Sequence, residues 1–139
     1  MAKFKLEPVH EYPYVLVGIN TGLPNHKLCW KINRLSGLEM ERTADVEVRS
    51  KSGDSTFHPL YVHEDPDDGS RFRMVQNKAF GGLFLPECKE ADAVLVIDES
   101  MHLPEENLLK TLREIPGVIL TFSVDTEKLK NKQNLLLIA

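Results

Sequence analysis

Two acids and a histidine follow the most apolar short run of the chain. Asp98, Glu99 and His102 come directly after the five apolar residues 93–97. Carboxylates near an imidazole at a strand end are typical of general acid–base sites, because such groups transfer protons near neutral pH. A loop between a strand and a helix also commonly carries these residue types. We therefore name the three as weak catalytic candidates, and a small enzyme or small-molecule binder is the alternative function.

The other titratable residues show no metal-binding pattern. His58 and His63 are five residues apart in one predicted strand, so their side chains face opposite sides, and we expect both at the surface. The acidic turn at 64–70 lacks the alternating ligands and distant glutamate of a calcium loop, and it is interpreted as a solvated turn. Phosphate-binding glycine motifs and paired zinc cysteines are also missing from the sequence. No metal and no cofactor are predicted.

The two cysteines are predicted to be reduced thiols. The chain begins without an apolar leader region, and its longest apolar run is far below the ~18–20 residues needed to span a bilayer. We therefore expect a cytoplasmic protein, in which disulfides are rare. Lys89 would lower the thiol pKa of Cys88, whereas Glu87 and Glu90 would raise it. An inert Cys88 and a core Cys29 are the favoured interpretations.

A first helix is predicted at residues 24–36. Pro24 suits an early helical position, and Gly37 suits the C-terminal cap. At 100° per residue, the apolar side chains share one stripe that should face the core. The members of that stripe are Leu28, Ile32 and Leu35, with Cys29 on its shoulder.

Trp30 lies on the opposite face of this helix, about 160–200° from the apolar stripe. His26, Asn33 and Arg34 fall near it. Trp and Arg are enriched at binding hot spots, so we predict that these four residues bind a partner. Two alternatives stay open at this point. The apolar tail at 135–138 or the N-terminal arm could cover Trp30, or the helix could be rotated so that Trp30 enters the core.

The remaining pattern indicates strands and one further helix. Strands are predicted at 14–19, 45–49, 56–64, 71–77, 93–97 and 118–124, with a weaker one at 3–6. A second helix starts near Pro104 and ends before Pro116-Gly117. Because two helices cannot cover both faces of so wide a sheet, we predict a single α+β domain over residues 1–139. Its architecture is a two-layer sandwich with a mostly antiparallel sheet and both helices on one face, and a ferredoxin-like core is the nearest named arrangement.

One motif carries a family resemblance. Leu85-Pro86-Glu87, three further residues and Ala91-Asp92-Ala93 resemble the signature of the IPExxxVDY family, a set of small bacterial proteins found mainly in Bacteroidetes. Pro86, Glu87 and Asp92 match that signature, whereas Ala93 stands where the family has tyrosine. The segments 14–19, 28–33 and 134–136 also resemble the family's usual pattern, in the same order. The resemblance implies one small domain of this family and no particular reaction.

Composition limits the classes of partner. The net charge is −4 and the sequence pI about 5.7, so the chain lacks the overall basic character of a nucleic-acid-binding protein. No membrane partner is predicted either. The apolar tail and Trp30 exceed what a small core needs. The favoured function is therefore a non-enzymatic protein-interaction module that acts as a homodimer.

Overall fold

The computed structural model describes residues 14–50, 52–101, 105–129 and 133–138. In chain order, the strands are β1 (Tyr14–Thr21), β2 (Glu41–Arg42), β3 (Val46–Arg49), β4 (Ser55–His58), β5 (Leu60–Glu64), β6 (Arg71–Gln76), β7 (Lys78–Ala79), β8 (Gly82–Leu83), β9 (Ala93–Asp98) and β10 (Val118–Val124). The helices are α1 (Asn25–Ser36), α2 (Glu105–Arg113) and α3 (Gln133–Leu136). The predicted strand at 3–6 and His102 lie outside the described residues.

Six of these strands form one antiparallel sheet in the order β10-β1-β9-β6-β5-β2. It follows that β1 and β6 run parallel with β9 between them, and that β9 and β10 run parallel with β1 between them. The connections through α1 and α2 therefore make two interleaved split β-α-β units, which is the ferredoxin-like arrangement. The predicted α+β sandwich is confirmed, and β5 and β2 extend its sheet.

The first core lies between the sheet and the two longer helices. Leu28, Cys29 and Ile32 of α1 are buried there with Leu112 and Ile115 from α2 and its C-terminal end. Alternate sheet residues complete this core: Val17, Ile19, Phe72, Met74, Ala93, Leu95 and Ile97. Gly37 ends α1 in the left-handed conformation, at a φ of 77°, as a C-terminal cap requires.

The prediction that Leu35 is a core residue is wrong, because its side chain is 54% exposed. The residues that α1 does bury are Leu28, Cys29 and Ile32, so the centre of the buried face is turned toward Cys29. At 100° per residue, Leu35 then lies roughly 65° from that centre. It sits at the margin of the helix layer rather than beneath it.

The opposite face of the sheet carries a second core. Val94 and Val96 point to this side, so the run at 93–97 is buried on both faces, as predicted. The cover consists of the segment around the motif, the β3–β4 hairpin and the C-terminal tail. Its buried members are Val46, Phe84, Leu85, Cys88, Ala91, Leu129, Leu135 and Ile138. The tail therefore packs on the face away from α1, and it does not cover Trp30.

Gly18 is required by the packing within the sheet. It is paired with Phe122 across β1 and β10. A Cβ atom at position 18 would collide with the phenyl ring of Phe122. The absence of a side chain thus lets an aromatic ring lie directly on the backbone of the neighbouring strand.

The strand predicted at 56–64 is interrupted by Pro59. Proline has no N–H group for a ladder, and β4 leaves the main sheet here to pair with β3.

His58, the last residue of β4, is fully buried, so the expectation of a surface histidine is wrong for this position. Its Nδ1 donates to the carbonyl oxygen of Gln76 at 2.8 Å, and its Nε2 accepts from Thr56 Oγ1 at 2.8 Å. Burial lowers the pKa of His58 and favours this neutral form.

The turn that carries the motif is held by the buried side chain of Asn77. Its Nδ2 donates to the carbonyl oxygens of Cys88 at 2.8 Å and Ala91 at 3.0 Å, and its Oδ1 accepts from Leu85 N at 2.7 Å. Its backbone N–H donates to the carbonyl oxygen of Asp92 at 2.9 Å. One amide thus satisfies three backbone groups that the fold removes from water.

Two further contacts join the segments that carry the family resemblance. Asp92 Oδ2 accepts from Thr21 N at 2.8 Å, which fastens the start of β9 to the end of β1. Asn134 Nδ2 donates to the carbonyl oxygen of Phe84 at 2.6 Å, which ties the tail to the residue before the motif. The motif is therefore tied both to the end of β1 and to the C-terminal tail.

Replacing Asn77 by Ala should lower the free energy of unfolding by about 3 kcal/mol, since three buried backbone groups lose their partner. Urea denaturation followed by circular dichroism measures the loss. The matched control is Asn20→Ala, which removes one exposed bond from Asn20 Nδ2 to Glu90 O at 2.7 Å. A loss of equal size in both variants would contradict the role given to Asn77.

The stability of the protein should also fall as the pH drops below about 6.5, the ordinary pKa of histidine. His58 is neutral in the folded state, and its imidazole is protonated more readily in the unfolded state. Protonation of His58 therefore favours unfolding. Urea midpoints between pH 7.5 and 5.5 should show this slope, and His58→Gln should flatten it. The control variant His63→Gln, which changes a partly exposed imidazole, should keep it.

Candidate functional site

Asp98, one of the weak catalytic candidates, serves the fold. Its Oδ1 pairs with Arg73 Nη2 at 2.5 Å, and its Oδ2 accepts from Arg71 N at 2.8 Å. Arg73 is only 1% exposed, and its guanidinium also lies 5.1 Å from the ring centre of Tyr14. One carboxylate oxygen thus compensates a buried cation, and the other holds the backbone at the start of β6. Glu99 lies exposed beside this pair, so the described acids do not converge on a reaction centre.

The cysteines are buried in different cores. Cys29 lies on the helix side of the sheet and Cys88 on the other side, so both are free thiols that the sheet keeps apart. Burial raises the pKa of both thiols, and the charges of Glu87 and Glu90 raise that of Cys88 further. Among the described residues, no three His, Cys, Asp or Glu side chains are grouped to hold a metal ion.

The outer face of α1 exposes a large aromatic side chain. Trp30 is 58% exposed, and the guanidinium of Arg34 lies 4.8 Å from the centre of its ring. His26 is exposed one turn earlier on the same helix. The structure therefore brings together Trp30, Arg34 and His26 from the predicted partner-binding set.

Asn33, the fourth member of that set, is turned toward the end of the helix instead. Its Nδ2 donates to the carbonyl oxygen of Met40 at 3.1 Å, and its Oδ1 accepts from Met40 N at 3.0 Å. This side chain closes the connection that leads from α1 into β2. Both polar atoms of the Asn33 side chain therefore bond the backbone of Met40 and are not presented to a partner.

An apolar groove runs between α1 and α2 beside Trp30. One cleft of about 220 Å³ is lined by Trp30, Arg34, Leu35 and Pro116, and Glu114 lies on its far side. A second cleft of about 230 Å³ lies further along the helices, where Leu35 is joined by Leu38, Phe72 and Leu108. Leu35 lines both clefts, so they lie on either side of it, and we call the two clefts together the Trp30 groove.

The charge of α1 differs from that of the rest of the chain. The helix contains Lys27, Lys31 and Arg34 and no acidic residue. Outside it, 14 basic residues stand against 21 acidic ones, a net charge of −7. A basic face with an exposed indole therefore lies on an otherwise acidic protein.

Sequence reasoning missed the contribution of Leu35, Lys31 and Pro116 to this surface. Leu35 fitted the apolar stripe, and Pro116 comes from the end of α2, which no local pattern brings near Trp30. The carbonyl oxygen of Pro116 accepts from Lys31 Nζ at 3.5 Å, so the two elements meet across the groove. The run of cations on α1 without an acid is the sequence feature that could have added Lys31 to the predicted set.

A polar cleft of about 340 Å³ opens at the other end of α1. Its lining includes Asn25 and His26 from the first turn of the helix, with Arg42, Lys78 and Asp92 from the strand ends beside it. Asp92 Oδ1 lies 3.2 Å from Lys78 Nζ, and Arg42 Nη2 lies 2.6 Å from Asp45 Oδ1. Asp92, the second acid of the motif, thus lies in this cleft as the ion-pair partner of Lys78.

The other two motif residues lie outside both clefts. Pro86 and Glu87 are exposed at the tip of the turn that Asn77 holds. The motif thus contributes Asp92 to the polar cleft and Leu85 to the second core.

Comparison with known proteins returned no family: no family model matches the chain, and no curated protein shows a significant match. The resemblance to the IPExxxVDY family depends on the segments quoted above. Within the described ranges, none of the helices has the length and apolar content needed to cross a bilayer.

Replacing Asp98 by Asn should lower the free energy of unfolding by about 3–5 kcal/mol, because it leaves the buried charge of Arg73 without its counterion. Glu99→Gln, one residue later and exposed, should change it by less than about 0.5 kcal/mol. Urea denaturation of both variants gives the comparison. If both variants changed the free energy of unfolding by a similar small amount, the burial of Arg73 would not depend on the charge of Asp98.

Proposed function

We propose that this chain is a non-enzymatic protein-interaction module that binds an acidic, amphipathic segment of another protein in the Trp30 groove. The observation that carries the proposal is the exposed indole of Trp30, stacked with Arg34 at the edge of an apolar groove. Helix-in-groove recognition uses apolar anchors spaced along one face of the ligand helix. The two clefts on either side of Leu35 offer separate sites for such anchors.

Charge complementarity favours an acidic ligand. Lys27, Lys31 and Arg34 lie on one stretch of α1, and no carboxylate of that helix compensates them. A ligand with glutamates or aspartates beside its apolar anchors would be attracted to this face at a distance and held in one orientation. Glu114, at the far wall of the groove, would disfavour an acid there and so helps to fix the direction of the ligand.

A second copy of the chain is a less favourable occupant of the same groove. In a twofold dimer built on this face, the basic side of α1 would approach itself, and like charges in contact oppose association. A contact between α1 and an acidic region elsewhere on another copy would join two different surfaces. Such a head-to-tail contact produces open filaments rather than a closed dimer. The homodimer predicted from the sequence stays a prediction, and the experiment below tests it.

Nucleic acid fits the groove less well than an acidic peptide. Three cations on one helix give a small footprint, and the net charge of −7 elsewhere would repel a long polyanion. The apolar walls around Leu35 would also meet no apolar group on a phosphate backbone.

We further propose that the chain is a member of the IPExxxVDY family and acts in the cytoplasm, where its two buried thiols stay reduced.

The chain contains a single tryptophan, so the emission of Trp30 reports directly on the groove. A helical peptide with leucines at i, i+4 and i+7 and glutamates between them should shift this emission to shorter wavelength in a saturable way. Replacing its glutamates by glutamines, or raising the salt concentration, should weaken binding at least about tenfold, which is about 1.4 kcal/mol. Calorimetry with Trp30→Ala should show a loss of similar or larger size.

Charge reversal of Lys27, Lys31 and Arg34 to Glu should abolish binding of the acidic peptide. The matched control is Lys89→Glu, an exposed lysine on the turn of the motif, which should leave it unchanged. Equal binding of the acidic and the neutral peptide, or preferential binding of single-stranded DNA or anionic vesicles, would overturn the proposal. If light scattering showed a stable dimer in which Trp30 is shielded, the occupant of the groove would be a second copy of the chain and not an acidic peptide.

A further inference from the structure

We propose that residues 6–12 of the N-terminal arm bind in the Trp30 groove of their own chain and compete there with the protein partner. The arm consists of residues 1–13, which precede β1 in the sequence. This inference rests on the proposed function, because it assigns a regulatory occupant to the same groove. A partner would then reach the groove only by displacing a segment of the chain itself.

The arm joins the described part of the chain close to one end of the groove. Phe72, in the wall of the cleft beyond Leu35, is paired with Ile97, and Ile97 is paired with Val15. These three residues form one row across neighbouring strands, on the side of the sheet that faces the helices. Two strand spacings separate Phe72 from Val15, which is about 10 Å. The arm is attached at Tyr14, directly before Val15.

The arm is long enough to reach both clefts of the groove. An extended chain covers about 3.3 Å per residue, so residues 6–12 can span about 23 Å. Along α1, the rise of about 1.5 Å per residue places Trp30 about 8 Å beyond Leu35. Adding the distance across the two strand spacings gives a path of about 18 Å from Val15 to Trp30. Chain length therefore permits contact within one molecule.

The sequence of the arm matches the ligand that the groove favours. Apolar side chains recur at every third position from Leu6 through Val9 to Tyr12, and Glu7 and Glu11 stand between them. Residues 6–12 contain no Lys or Arg, whereas α1 carries three such cations and no acid. Opposite charges would thus face each other when the apolar side chains enter the two clefts.

Because the arm is part of the same chain, weak contacts are sufficient for it to occupy the groove. A short tether gives an effective concentration in the millimolar range, against which a free partner must compete. If the arm occupies the groove in about four of five molecules, the apparent affinity for a free peptide falls about fivefold. The arm therefore sets a threshold of affinity that a partner must exceed.

The test compares two charge-reversal variants of the full chain that have the same net charge. Glu7→Lys combined with Glu11→Lys reverses the acids of the arm. The control, Glu87→Lys combined with Glu90→Lys, reverses two exposed acids on the motif turn, which lies on the opposite face of the sheet. Calorimetry should show that the acidic peptide binds the arm variant at least about fivefold more tightly than the control. Without peptide, acrylamide should quench the emission of Trp30 more strongly in the arm variant.

A further variant removes apolar contacts of the arm without changing its charge. Leu6→Ser combined with Val9→Ser should also raise the peptide affinity and the quenching of Trp30, relative to the unchanged chain. Thermal unfolding establishes that each variant is folded before binding is compared. If the difference in quenching depended on protein concentration, the arm would bind another copy, and binding within one chain would be overturned.

The two measurements separate this inference from the proposed function. Equal peptide affinity and equal quenching in all the variants would overturn the role of the arm and leave the peptide-binding groove in place. Stronger quenching in the arm variants, without peptide binding by any of them, would support the arm as occupant and overturn the proposed partner.

Discussion

The buried amide of Asn77 is the contact on which the second half of the fold depends. It holds the carbonyl oxygens of Cys88 and Ala91 and the N–H group of Leu85, all of which lose water when the second core forms. Without these bonds, three buried backbone groups would have no partner, which opposes the packing of the motif turn against the sheet. The closing tail depends on the same turn, since Asn134 binds the residue before it.

Local patterns predicted the parts of the fold that are set by local physics. The apolar run at 93–97, the cap at Gly37 and the position of Trp30 on the face of α1 opposite the core stripe follow from spacing, backbone conformation and helix geometry. Because two helices can cover only one face of so wide a sheet, the possible architectures were limited to two-layer folds, and the ferredoxin-like core was the nearest of them. What remained hidden was set by contacts between residues far apart in sequence.

His58, Asp98 and Leu35 illustrate why those features escaped prediction. A histidine next to a proline gives no sign that Gln76 and Thr56 will hold both its ring nitrogens. Nothing near Asp98 shows that the side chain of Arg73 will be buried beside it. Leu35 fitted the helical stripe, and only the packing of Cys29 decided which side of that stripe turned inward. For the candidate surface, the sequence therefore identified the indole and Arg34 but neither Lys31 nor the groove between the helices.

The two free cysteines give the protein a reporter in each of its layers. Cys29 becomes reactive only when the helices separate from the sheet, and Cys88 only when the motif turn lifts from the opposite face. If the layers open independently, the two thiols will be labelled at different rates by the same reagent. If the sheet couples them into one cooperative unit, the rates of labelling will depend on denaturant in the same way. The natural sequence thus permits a measurement of folding cooperativity across a single sheet without introducing any probe.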